Sequence, residues 1–213
     1  MLGVLHSKQR SIPETPLDRV LRERLARAGL AGKHPRKLSG QRRRFLLVDY
    51  PGYGKNVGYA MIDSTRASAD AAVRALKERL HMPDERLTVC TIGHSLGAAV
   101  ALNFAARHQV ERVVAIAPFT TLREEAARVV GWQLAQLLRE NYDNRENLAR
   151  IARHNPKARI GIFHGTADEN IPVEMGRELP REFAFVKFFA IDDANHVSVL
   201  DAGHDMIVDW MNR

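Results

Sequence analysis

Three short stretches hold residues whose types and order fit acyl-bond cleavage. Gly93-His94-Ser95-Leu96-Gly97 matches Gly-x-Ser-x-Gly and lies between an apolar run, Leu87–Ile92, and an alanine-rich stretch, Leu96–Ala106, of helical character. The motif requires that context: a serine on a tight strand-to-helix turn with small neighbours. The turn lifts the hydroxyl clear of the sheet and sets it at a helix N-terminus, where free N–H groups favour developing negative charge. A serine hydroxyl is a poor nucleophile until a base takes its proton. The base is expected late in the chain, after an acid. His164-Gly165-Thr166-Ala167-Asp168 follows the apolar run Ile160–Phe163, and Asn195-His196 follows the run Phe185–Ile191. Both groups then fall at carboxyl ends of strands, where ligand chemistry gathers in open α/β sheets.

The expected assignment is Ser95 as nucleophile, His196 as base and Asp168 as the acid that orients it. Three rivals are weaker. His204 sits on the approach to a C-terminal helix, and Asp192 and Asp193 stand too near His196 in sequence to belong to a separate strand end. His94 is expected to shape the turn, and Cys90 to be a buried strand residue. No cluster of histidine, cysteine and carboxylate has metal-ligand spacing, so no metal is expected.

The elements that must position these residues alternate along the chain. Gly3–His6 and Phe45–Val48 read as short strands, followed by the strands already placed and by Val113–Ala117. Helical spacing recurs through Ala69, Ala72, Val73, Leu76 and Leu80, and again through Leu17, Val20, Leu21, Leu25 and Ala28, where Thr15 caps and Pro16 takes the first helical position. Leu30 to Arg44 reads as a basic loop, Leu122 to Ile151 as helical without strand pattern, and Val197 to Trp210 as a loop finishing in a helix. This alternation predicts one α/β domain around a mainly parallel sheet.

Read together, Asp49-Tyr50-Pro51-Gly52-Tyr53-Gly54, Gly93-His94-Ser95-Leu96-Gly97-Ala98, Ala117-Pro118-Phe119-Thr120, His164-Gly165-Thr166-Ala167-Asp168-Glu169-Asn170-Ile171-Pro172 and Asn195-His196 resemble the successive signatures of α/β-hydrolases, most of all the Bem46-like and prolyl-oligopeptidase-related serine hydrolases. The resemblance covers Phe45 to Arg213. It implies esterase-, thioesterase- or peptidase-type acyl transfer without a cofactor, on a small-molecule acyl ester in the reading favoured here, and a small helical cap over the site formed by 122–151. It also implies an oxyanion hole with two backbone donors. Leu96 N–H supplies one.

The front of the chain departs from the family. Such enzymes begin with two further strands and a His-Gly turn that gives the second donor, and no His-Gly precedes Asp49. Either Val4-Leu5-His6-Ser7 is a degenerate form of that turn, with Ser7 N–H as donor, or residues 1–44 are unrelated sequence. An α/β-hydrolase fold with reduced N-terminal strands is therefore expected. The alternative to an esterase is a non-catalytic binding protein on the same fold.

Composition narrows the rest. In 213 residues the apolar fraction is 45 % and the charged fraction 27 %, a soluble globular mix. No apolar run approaches the roughly 20 residues of a membrane helix. The opening residues lack the apolar centre of a secretory signal, and a single cysteine precludes an internal disulfide, which together predict a reducing cytoplasm. The net charge of +7 gathers partly in Lys33, Arg36, Lys37, Arg42, Arg43 and Arg44. No aromatic residues interleave them for base stacking, so a nucleic-acid partner is not expected.

Overall fold

The computed structural model describes residues 2–7, 42–54, 56–81 and 88–212. The helix expected over Leu17–Ala28, its cap at Thr15, and the basic stretch 30–41 lie outside the described residues. Six strands form one sheet in the order β2-β1-β3-β4-β5-β6: β1 Leu2–Ser7, β2 Arg42–Leu47, β3 Thr88–His94, β4 Arg112–Ile116, β5 Arg159–Gly165 and β6 Val186–Ile191. Strands β3 to β6 are parallel, and Ser95, Asp168 and His196 follow β3, β5 and β6. The chain between strands supplies α1 Ile62–Leu80, α2 Leu96–Ala105, α3 Leu122–Val130, α4 Trp132–Ala135, α5 Asn144–His154 and α6 Val173–Glu182. Helices α7 Val199–Ala202 and α8 His204–Asn212 end it.

The central strands are buried on both faces, which is why they read as continuous apolar runs rather than alternating ones. Their side chains still divide with period two. Val113 and Ala115 of β4, with Ile160 and Ile162 of β5, join the core under α1, α2, α5 and α6. Val114, Ile116 and Phe163 join a second core with Val199, Ile207, Trp210 and Met211 of the C-terminal helices. In α2, Ala98, Ala99 and Ala101 are wholly buried, and their small size brings the helix close onto β3 and β4. Trp210, only 6 % exposed, meets Phe189 edge-on with ring centroids 5.4 Å apart. The Arg159 guanidinium lies 5.0 Å and the Lys187 ammonium 5.9 Å from the Trp210 ring centroid.

Four features differ from the expectations. Strand β1 is antiparallel to both neighbours, so the sheet is parallel only from β3 onward. Arg42 to Arg44 belong to β2 rather than to a loop, because their backbone pairs with Leu5, His6 and Ser7 of β1. Helix α6 was not anticipated: Pro172 and Pro180 flank a sparse apolar pattern in which Met175, Gly176 and Leu179 face the core. Finally, 122–151 divides. Helix α5 packs on α2, with Leu148 and Ile151 fully buried, and so joins the body rather than the cap. Local capping explains where the two long pieces start. Thr121 Oγ1 accepts the N–H of Glu124 and Asp143 Oδ1 accepts that of Glu146. No helix among the described residues is long and apolar enough to cross a membrane.

Candidate active site

Ser95 stands between β3 and α2 with φ 57° and ψ −125°, a conformation that costs a non-glycine residue of order 1–3 kcal/mol. The turn is held by the Ser95 N–H donating to Ile116 O, 2.9 Å, and by Ala98 N–H donating to Ser95 O, 2.9 Å. The motif's two glycines are not equivalent. A Cβ on Gly93 would lie 2.0 Å from the Gly97 carbonyl oxygen, whereas one on Gly97 would meet nothing within 4 Å. Gly93→Ala is therefore expected to destabilise the fold by about 4 kcal/mol or more, because backbone must move. For a chain of this size that is roughly 10 °C in Tm by scanning calorimetry. Gly97→Ala, measured alongside, is expected to leave Tm within about 3 °C of the parent or above it, since alanine favours a helix.

The acid and the histidine arrive on the loops after β5 and β6. Gly165 lets these loops touch: a Cβ there would be 2.1 Å from Ala194 O. The contact is stitched by Thr166 N–H to Ile191 O, 2.9 Å, and Ala167 N–H to Ala194 O, 3.0 Å. Asn195 organises the second loop, its Oδ1 accepting the N–H groups of Val197 and Ser198 at 3.0 and 2.8 Å. The result is direct. His196 Nδ1 lies 2.8 Å from Asp168 Oδ2, and Asp168 Oδ1 accepts N–H from Asn170 and Ile171, each at 2.9 Å. The Asp168 side chain is 0 % exposed. A buried carboxylate is tolerated only when its lone pairs are met in this way.

His196 is drawn to the serine turn by a residue whose contacts the motif does not disclose. His94 Nε2 lies 2.7 Å from His196 O, and the two imidazole centroids are 4.5 Å apart. A carbonyl only accepts, so Nε2 carries the hydrogen. Burial holds the His94 imidazole below the usual histidine range, which keeps it a neutral strut. The expectation that His94 shapes the turn is extended: it ties the turn to the histidine loop.

Of the rivals, His204 begins α8 and pairs with Asp205, 3.2 Å, and Asp192 and Asp193 are exposed in the turn after β6. Cys90 is buried in β3. Leu96 opens α2, where helix geometry leaves its N–H without an intrahelical acceptor. Ser7 is not brought to the site. His6 pairs with Thr88, so the carboxyl end of β1 lies at the amino end of β3, about 20 Å from Ser95 at ~3.3 Å per residue. The antiparallel run of β1 is the cause: a donor turn after this strand would need the strand to run the other way.

Helices α3 and α4 follow β4, and Arg128 Nη1 of α3 donates to Asn170 O in the loop after β5 at 3.2 Å. Beyond α4, Glu140 accepts the N–H of Ile62 at the start of α1, 2.6 Å. Trp132, Leu134 and Leu137, in and just after α4, are 57 %, 58 % and 76 % exposed.

Comparison with known proteins agrees with this architecture. Residues 24–194 match the profile of the Alpha/beta hydrolase family, and the chain belongs to that family. An uncharacterised protein of Mycobacterium tuberculosis, found in two strains, is 31 % identical over 147 residues, 68 % of this chain and 50 % of the relative. The chain thus spans about half the length of the curated relatives it matches. Among solved structures, an esterase from Pyrococcus furiosus superposes with TM-score 0.56 at 20 % identity, over 91 % of this chain and 71 % of that one. A structure described as an alpha-beta serine hydrolase homologue from Coxiella burnetii superposes with TM-score 0.54 at 16 % identity, over 99 % and 91 %. At these identities the likeness is one of fold.

Proposed function

We propose that this hydrolase-family chain cleaves carboxylic esters, or thioesters, through an acyl-enzyme on Ser95. The observation that carries the reading is the Asp168–His196 hydrogen bond, 2.8 Å, tied by His94 to a serine held at positive φ. Ser95 Oγ attacks the carbonyl while His196 Nε2 takes its proton. Leu96 N–H, at the positive end of α2, donates to the developing oxyanion. His196 then protonates the leaving oxygen, and water, deprotonated by His196, releases the acid. Asp168 accepts the Nδ1 hydrogen and so holds the imidazole in the tautomer that leaves Nε2 free to act as base.

The test is turnover of p-nitrophenyl butyrate together with labelling by a fluorophosphonate. Turnover that falls as the label rises, with mass spectrometry locating the label on Ser95, is the expected result. A second reading, a non-catalytic binding protein, is favoured by one observation, the placement of Ser7 far from Ser95. Loss of one oxyanion donor costs about 10²–10³ in rate in a well-studied protease. A slow enzyme that labels is therefore still the first reading, and a chain that neither turns over nor labels is the second.

A further inference from the structure

Asp168 touches a second histidine that the proposed reaction leaves unused. His164, in β5, is fully buried. Its Nε2 lies 2.9 Å from Ile171 O and 3.3 Å from Asp168 Oδ2. Both neighbours are acceptors, so Nε2 carries the hydrogen and Nδ1 is the bare nitrogen. Among the described residues Nδ1 has no hydrogen-bond partner. It faces Gly176, where a Cβ would come within 2.3 Å. Burial lowers the proton affinity of His164, so it remains neutral beside a histidine that must charge and discharge. The other titratable groups facing the two rings are Asp168 and, from the end of β3, His94.

Oδ2 of Asp168 is thus approached by two imidazoles: His196 bonds it at 2.8 Å, and Nε2 of His164, whose hydrogen bond goes to Ile171 O, lies 3.3 Å away. We propose that His164 is a positioning residue that acts on His196 through this shared oxygen. Its N–H dipole, anchored on Ile171 O within the core, stands beside Oδ2 and draws on the negative charge there. The carboxylate therefore grips the proton on His196 less tightly than an oxygen serving one imidazole would, and the base is freed to cycle at lower pH. For its role in turnover this rests on the acyl-transfer reading above.

Three substitutions separate this role from packing. His164→Phe keeps a flat ring in the slot beside Gly176 but has no donor. His164→Asn carries its amide nitrogen at the position of Nδ1 and leaves the Nε2 position empty. His164→Gln reaches that position with an N–H. The acid limb of kcat/KM for p-nitrophenyl butyrate is expected to move up by about half a pH unit in the Phe and Asn variants. KM should change less than about twofold, and the limb of the Gln variant should coincide with that of the parent. The pH midpoint of the His196 Cε1–H proton resonance, read by NMR on the free protein, is expected to move the same way. That second readout needs no turnover, so it tests the shared oxygen even if the chain is not an esterase. Limbs and midpoints that stay with the parent in whichever of the Phe and Asn variants folds, or a Gln variant displaced as far as they are, would overturn the proposal and leave His164 a packing residue.

Discussion

Ser95→Ala is expected to abolish turnover of p-nitrophenyl butyrate, by about 10⁶-fold in kcat as in a serine protease stripped of its nucleophile, with Tm unchanged or slightly raised. The size follows from the site's construction. His196 and Asp168 are fixed by contacts that do not involve the Ser95 hydroxyl: Asp168 by its two amides and His196 by Asp168 and His94. Removing the hydroxyl therefore removes the covalent route and leaves the scaffold intact. What survives is a bound ester near an uncommitted base and the Leu96 amide, enough for residual water attack only. Alanine also fits φ 57° no worse than serine does. Circular dichroism and Tm of the two proteins, measured with the rates, decide whether chemistry or folding was lost. A mutant retaining a tenth of the parent rate would show that another group performs the attack.

The second large effect concerns the acid. Asp168→Asn is expected to reduce kcat by about 10⁴-fold, as the matching change does in trypsin, while the protein still folds. Two backbone amides, from Asn170 and Ile171, point at Oδ1. An asparagine satisfies them only with its carbonyl oxygen there, which forces its NH₂ into the place of Oδ2. That place is faced by the N–H of His196, with Nε2 of His164 3.3 Å away. Donor then meets donor. His196 escapes by moving its hydrogen to Nε2, where the serine proton should be received, and the base is lost without any change of shape. Rates at raised pH are the check: a partial recovery there would mean that hydroxide does the deprotonation, whereas a loss below tenfold at neutral pH would mean that Asp168 does not set the tautomer.

The parts of this site that could be seen in the amino-acid sequence are the locally encoded ones. Ser95 and Asp168 follow apolar runs buried on both faces, His196 follows the half-buried edge strand β6, and each sits in a turn whose residue types are dictated within five positions. Parallel topology then brings three strand ends to one edge. What could not be seen is non-local. The direction of β1 depends on its neighbours, and an apolar run of four residues looks the same either way. The Arg42–Arg44 strand exists through pairing with β1 rather than through its own composition. Helical spacing over 122–151 could not tell α5, whose Leu148 and Ile151 enter the core, from α3 and α4, which stand outside it. His94 and His164 were visible as residue types, but their roles reside in distances to His196 O and Asp168 Oδ2.

The two tryptophans of the chain fall on opposite sides of this division. Trp210 is walled into the sheet's second core between Phe189, Arg159 and Lys187, and Trp132 stands in water on α4. Intrinsic fluorescence is therefore the sum of a blue-shifted core emitter and a red-shifted emitter open to iodide. Quenching reports α4 and band position reports the sheet, so the movement of one and the melting of the other are optically separable without a label.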